Sequence, residues 1–109
     1  MSEPNVPNFF IALKERHPDF LEAVEALGQV LHEAGPLDTK TAQLIQLAAA
    51  AAIRSEGSVH SHARRALEAG ATAAEIRHAL MLLTSTIGFP TVVAGLSWVE
   101  DVLARQEAV

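Results

Sequence analysis

Apolar residues recur along this chain at steps of three and four, the period of one helix face, and no stretch alternates convincingly with period two. Pro18-Asp19 opens a run with Phe20, Val24, Leu27 and Leu31 on one face and Leu21 and Val30 beside them. That pattern predicts an amphipathic helix, stopped by Gly35-Pro36. A shorter helical segment around Pro7 to Glu15 is expected before it. Asp38 is a candidate N-cap for a helix running through Leu44, Leu47, Ala48 and Ala51 and on to Arg54 in its last turn. The unbroken alanines from Ala48 to Ala52 favour helix and let neighbouring helices approach closely. Ser55 or Ser58 begins the next helix, which ends at Gly70. Thr72-Ala-Ala-Glu75 reads as a capping box for a helix carrying Ile76, Ala79, Leu80, Leu83 and Ile87, with Met81 and Leu82 widening its apolar face. Gly88-Phe89-Pro90 breaks that run. A last helix places Val92, Leu96, Val99 and Leu103 on one face and Glu100, Asp101 and Arg105 outside.

These elements predict an all-α fold of five or six helices with short connections, and a single domain over residues 1–109 with no internal repeat or low-complexity tract. Half of the residues are apolar and 19% are charged, a soluble globular composition. Alanine makes much of the expected core, which is thin for the chain length. Several helices are apolar on more than one face, so further burial in a homo-oligomer is expected. Trp98 is expected in the core or at a contact between copies.

Charge narrows the partners. The net charge is −5, and the longest basic cluster, Arg64-Arg65, is too short to follow a phosphate backbone, so no nucleic-acid role is expected. Seven acids against two bases in residues 1–38 make the N-terminal part acidic. Arg54, Arg64, Arg65 and Arg77 fall in the central stretch and read mainly as solvated surface, with an anion-holding role open to one of them. Met-Ser-Glu-Pro has neither the basic nor the apolar region of a signal peptide. Leu44 to Ile53 is far short of the roughly 20 apolar residues that cross a bilayer. A cytoplasmic location without membrane partners is expected.

The candidate chemistry centres on residues 55–70. On a helix, Ser55, Ser58 and His62 fall on one narrow stripe, because steps of three, four and seven return to the same face. Ser58 and His62 form an i, i+4 pair. Ser55 sits at or near the helix start, where unpaired N–H groups favour negative charge. As helix N-caps both serines need no further role. The chain has no cysteine, which removes disulfides, thiolate ligands and a thiol nucleophile. A serine without a strong base beside it is not a nucleophile at neutral pH. No metal site is expected: His60 and His62 lie two apart on a helix and point roughly 160–200° from each other. His17, His32 and His78 lack partner spacing and read as surface residues.

The spacing Ser55-x-x-Ser58-x-x-x-His62, followed by Ala66 and Gly70, resembles C-x-x-C-x-x-x-H of the AhpD-like alkylhydroperoxidase and carboxymuconolactone decarboxylase family. The segments Leu37 to Ala48, Ala69 to Ile76 and Ile87 to Pro90 are also similar to that family, so the resemblance covers about residues 36–104. It implies an AhpD-like helical bundle, assembled as a trimer or hexamer. In the peroxidase branch two cysteines reduce a peroxide, and a Glu and a His relay protons. Here Ser55 and Ser58 stand at the cysteine positions and Gln43 at that of the Glu. A hydroxyl cannot cycle through a disulfide, so thiol peroxidase activity is implied by the family and contradicted by this chain.

The decarboxylase branch needs neither cysteine nor cofactor. By that resemblance, His62 is the candidate proton donor, since imidazole exchanges protons near neutral pH, with Gln43 and Ser58 as orienting groups. Arg54 and Ser55 are candidates to hold the substrate. Two readings follow. One is a cofactor-free lyase or isomerase acting on a small carboxylated or lactone substrate. The other is a non-catalytic ligand-binding or interaction scaffold on the same fold.

Overall fold

A computed structural model describes residues 8–107. Among them are six helices of nine residues or more and a one-turn segment, with no strand: α1 (Asn8–Arg16), α2 (Pro18–Glu33), α3 (Thr39–Ala52), α4 (Glu56–Glu68), α5 (Ala73–Met81), α6 (Thr84–Ile87) and α7 (Phe89–Glu107). The all-helical expectation holds. No helix among the described residues is long and apolar enough to cross a membrane.

The chain divides into two compact units, residues 1–38 and 39–109. The first contains α1 and α2. Pro18 opens α2 at its first turn, where its missing N–H costs no hydrogen bond. Lys14 on α1 lies 3.4 Å from Glu25 on α2, and a shallow groove there is lined by these two residues, Pro18 and Glu22. The expected apolar face of α2 is present but uncovered: Phe20, Val24, Leu27, Val30 and Leu31 are exposed and only Leu21 is buried.

The second unit carries the core. α3 and α4 form a helical hairpin and share the most extensive helix interface; α7 packs on α3, α4 and α5. Leu47, Val59, Ile76, Leu80, Val99 and Leu103 are fully buried, and Ala50, Ala51, Ala63, Ala66 and Ala71 fill the spaces between them. Small residues bring the helix axes close, so the core is dense but shallow. Trp98 packs against it from a partly buried position.

Local chemistry sets most of the boundaries. Gly70, at φ +99°, ends α4: its N–H bonds to the carbonyl of Leu67 at 3.0 Å and that of Ala71 to Ala66 at 2.9 Å, a Schellman motif. α3 closes in the same way with a non-glycine residue. Arg54 adopts φ +57°, with Arg54 N–H bonded to Ala51 and Ser55 N–H to Ala50. Arg54 therefore lies beyond α3, not in its last turn as expected. Thr72 caps α5, and the reciprocal bonds to and from Glu75 are 3.0 and 2.9 Å.

The apolar run from Ile76 to Ile87 was expected as one helix and is two. The Thr84 hydroxyl donates to the Met81 carbonyl at 2.8 Å, and the Leu83 N–H bonds to Leu80, three residues back. This tighter local pairing ends α5, and Met81 and Leu82 face outward.

Surface ion pairs join helices in this unit. Lys40 on α3 lies 3.0 Å from Glu75 on α5. Arg77 on α5 holds Glu100 on α7 with two bonds, at 2.7 and 2.9 Å. The Thr72 backbone N–H, then the Lys40 ammonium, hold the Glu75 carboxyl below its ordinary value of 4.5; the Arg77 guanidinium does the same for Glu100. Carboxyls lowered in the fold contribute stability above their unfolded values and lose it as pH falls through the folded ones. Both pairs are well exposed, so solvent screens them and each contributes little to stability. In thermal melts, the wild type is expected to exceed Glu100→Gln at neutral pH and to lose that lead as pH drops below 4.5. A lead unchanged down to acid unfolding would refute this assignment.

Candidate active site

The α3–α4 hairpin places Gln43 opposite His62 because their helices run back along each other from the turn at residues 53–55. His62 Nδ1 lies 2.8 Å from Gln43 Oε1. An amide oxygen only accepts, so Nδ1 donates and keeps its hydrogen in both ring charge states. That leaves Nε2 as the ring nitrogen not held by this amide. Gln43 is 5% exposed, while His62 is half-buried. A buried amide at this place orients the ring without adding a buried charge.

Ser58 is half-buried on α4, one turn before His62, and Ser55 is half-buried at the N-cap position. Seven residues at about 1.5 Å rise put the backbone of Ser55 roughly 10 Å from that of His62. The capping role expected of the serines is not what the structure contains. Ser55 has φ −96° and ψ 96°, and its side chain makes no cap hydrogen bond. Thr72, which does cap, has ψ 161°. The difference in ψ turns the Ser55 hydroxyl away from the helix N–H groups it would have to reach. Ser58 lies inside α4.

Arg54 is exposed at the turn between α3 and α4, and its Nη1 donates to Thr91 Oγ1 on α7 at 2.9 Å. The structure therefore brings Gln43 and His62 together, sets Ser58 and Ser55 along the same helix, and links Arg54 to the first turn of α7. Nothing in the sequence pattern marked Thr91 as the partner of Arg54.

The second histidine of the H-x-H pair faces elsewhere. His60 Nε2 lies 2.9 Å from Asp101 Oδ2 on α7. α4 thus presents His62 to α3 and His60 to α7, as a two-residue step on a helix requires.

The family model described as the carboxymuconolactone decarboxylase family matches residues 18–101. The chain belongs to that family. The match runs through both units and includes Gln43, Arg54, Ser55, Ser58 and His62. A protein of Haemophilus influenzae is 41% identical over 62 residues, 57% of this chain. That stretch spans 55% of the Haemophilus protein's own length. A protein of Methanocaldococcus jannaschii is 28% identical over 94 residues, covering 86% of this chain and 88% of the relative. Both relatives are described as uncharacterized proteins. No solved structure matches the chain significantly. The chain holds no cysteine, which fits the reading of Ser55 and Ser58 as serines in place of cysteines.

Proposed function

We propose that this chain is a cofactor-free acid/base enzyme, a lyase or isomerase acting on a small carboxylated or lactone substrate, with His62 as proton donor. The observation that carries the reading is the 2.8 Å bond from His62 Nδ1 to the buried Gln43 amide. It supports a reading in which the amide holds Nδ1, Nε2 carries the transferred proton, and the ring stays oriented as a general acid needs. In a decarboxylation the bond from the carboxyl carbon breaks and carbon dioxide leaves. The electron pair stays on the neighbouring carbon as a carbanion or enolate, His62 Nε2–H protonates it, and solvent restores the imidazolium. Ser58 and Ser55 supply hydroxyls along the same helix, and Arg54 offers the cation for a carboxylate. A length of roughly 10 Å from His62 to Ser55 suits a small substrate.

In this reading the whole chain acts as one domain in the cytoplasm and as a homo-oligomer, a trimer or hexamer. Exposed apolar side chains on the second unit support association: Ile45, Ile53, Met81, Leu82, Phe89 and Val93. Sedimentation at micromolar concentration is expected to show a multiple of 11.6 kDa; a monomer alone would sink the assembly.

The functional reading is tested by thermal shift with a panel of small dicarboxylates, lactones and keto acids. A ligand is expected to raise the Tm of the wild type and to supply the substrate class for a turnover assay. No shift across the panel, from a folded protein, would favour the non-catalytic scaffold.

A further inference from the structure

We propose that Glu56, His60 and Asp101 form a binding site for one divalent transition-metal ion of the zinc class, joining α4 to α7. Glu56 and His60 stand four residues apart on α4 and so share a face; Asp101 is an exposed residue of α7, the helix that packs on α4. One donor atom from each residue lies within 4.8 Å of the other two. The His60 Nε2 to Asp101 Oδ2 separation is 2.9 Å. Ligands around a tetrahedral zinc with bonds of about 2.0–2.1 Å are about 3.3–3.4 Å apart. The Glu56 carboxylate therefore needs to close by up to about 1.4 Å, which an exposed glutamate does by changing rotamer, and the His60–Asp101 pair needs to open by about 0.4 Å.

Charge points the same way. Two carboxylates this close repel each other. A divalent ion satisfies both acids and the neutral imidazole together. One nitrogen and two oxygens favour zinc or its first-row neighbours over calcium and magnesium, which take oxygen donors. Three protein ligands leave a coordination position for water. The site lies on the opposite face of α4 from His62, so it is independent of the proposed acid/base reaction.

The test uses the full chain, stripped with chelator, titrated with Zn²⁺ by calorimetry, and with Co²⁺ to read visible d–d absorption. Ca²⁺ and Mg²⁺ serve as controls. One saturable Zn²⁺ per chain is expected, with a Tm rise of about 5 °C or more at a large excess over Kd. Raised salt is expected to leave binding largely intact, because coordination is screened less than loose counter-ion attraction. Glu56→Gln is the deciding variant: it leaves the His60–Asp101 pair in place and, being exposed, leaves the fold intact by circular dichroism. It is expected to weaken Zn²⁺ binding by at least about tenfold, and His60→Gln is expected to abolish the Co²⁺ spectrum. His78→Ala is expected to change neither. The proposal is overturned by a chain without saturable Zn²⁺ binding, or by binding that Glu56→Gln or His60→Gln leaves within a few-fold of the wild type. Either result would make His60–Asp101 a simple ion pair.

Discussion

His62→Asn is expected to lower turnover by about 10²- to 10⁴-fold on the substrate found by ligand screening, while the protein stays folded. The choice of asparagine follows from the geometry. Its side-chain N–H sits near the place of imidazole Nδ1, so it can still donate to Gln43 Oε1, but it has no proton to exchange at neutral pH. His62→Ala removes the same acid and also the donor at 2.8 Å from a nearly buried amide. The alanine variant is therefore expected to show the same kinetic loss plus about 1–3 kcal/mol of lost stability. Comparing the two separates proton transfer from packing. Kinetics on the substrate and denaturant melts on both variants make the comparison. Full turnover in His62→Asn would remove His62 from the chemistry, whatever the alanine variant does.

Gly95→Leu is expected to destabilise the chain by about 3 kcal/mol or more. Gly95 lies where α7 crosses α3 and α5. A Cβ there would sit 3.2 Å from the Ala51 Cβ and 3.3 Å from Leu80 Cδ1. Carbon atoms settle at about 3.5–4.0 Å. Both neighbours are buried, and the Ala51 Cβ moves only with its backbone. Gly95→Ala gains about 1 kcal/mol of helix propensity and loses a comparable amount to the clash, so its net change is expected to be small. Adding Ala51→Gly to Gly95→Ala removes the opposing methyl, and the pair is expected to be non-additive in urea melts. A Gly95→Leu protein as stable as the wild type would show that α7 does not approach α3 this closely.

The boundaries that were legible in sequence depend on a few neighbouring residues. Pro18, the Thr72–Glu75 box and Gly70 each act through their own or nearby backbone groups, and each stands where the pattern placed it. The same holds for the buried face of α7, apart from Val102, which joins Val92, Val99 and Leu103 in the interior. Where local signals competed, the pattern misled. Apolar periodicity carried one helix past Leu83, but a Thr84 side-chain bond and a shortened backbone step divide it. Ser55 stands at the helix start with a capping residue's identity, yet its ψ does not let the hydroxyl cap.

The candidate site was legible in part. Placing Ser55, Ser58 and His62 on one stripe requires only helical geometry, and Gln43 was singled out by family resemblance. That Gln43 meets His62 Nδ1 depends on how far α3 and α4 slide along each other, which burial of Leu47, Val59 and Ala63 settles. Arg54 and Thr91 lie 37 residues apart, and His60 and Asp101 lie 41 apart. Such pairs leave no period in the chain. The sequence by itself determined the helical class, most helix ends, the absence of cysteine and which residues share a helix face. Tertiary structure alone decided which faces meet, the conformation of Arg54, the closeness of α7 at Gly95 and the partner of each histidine. Helix signals act over one or two turns, whereas these contacts depend on packing that many distant side chains determine together.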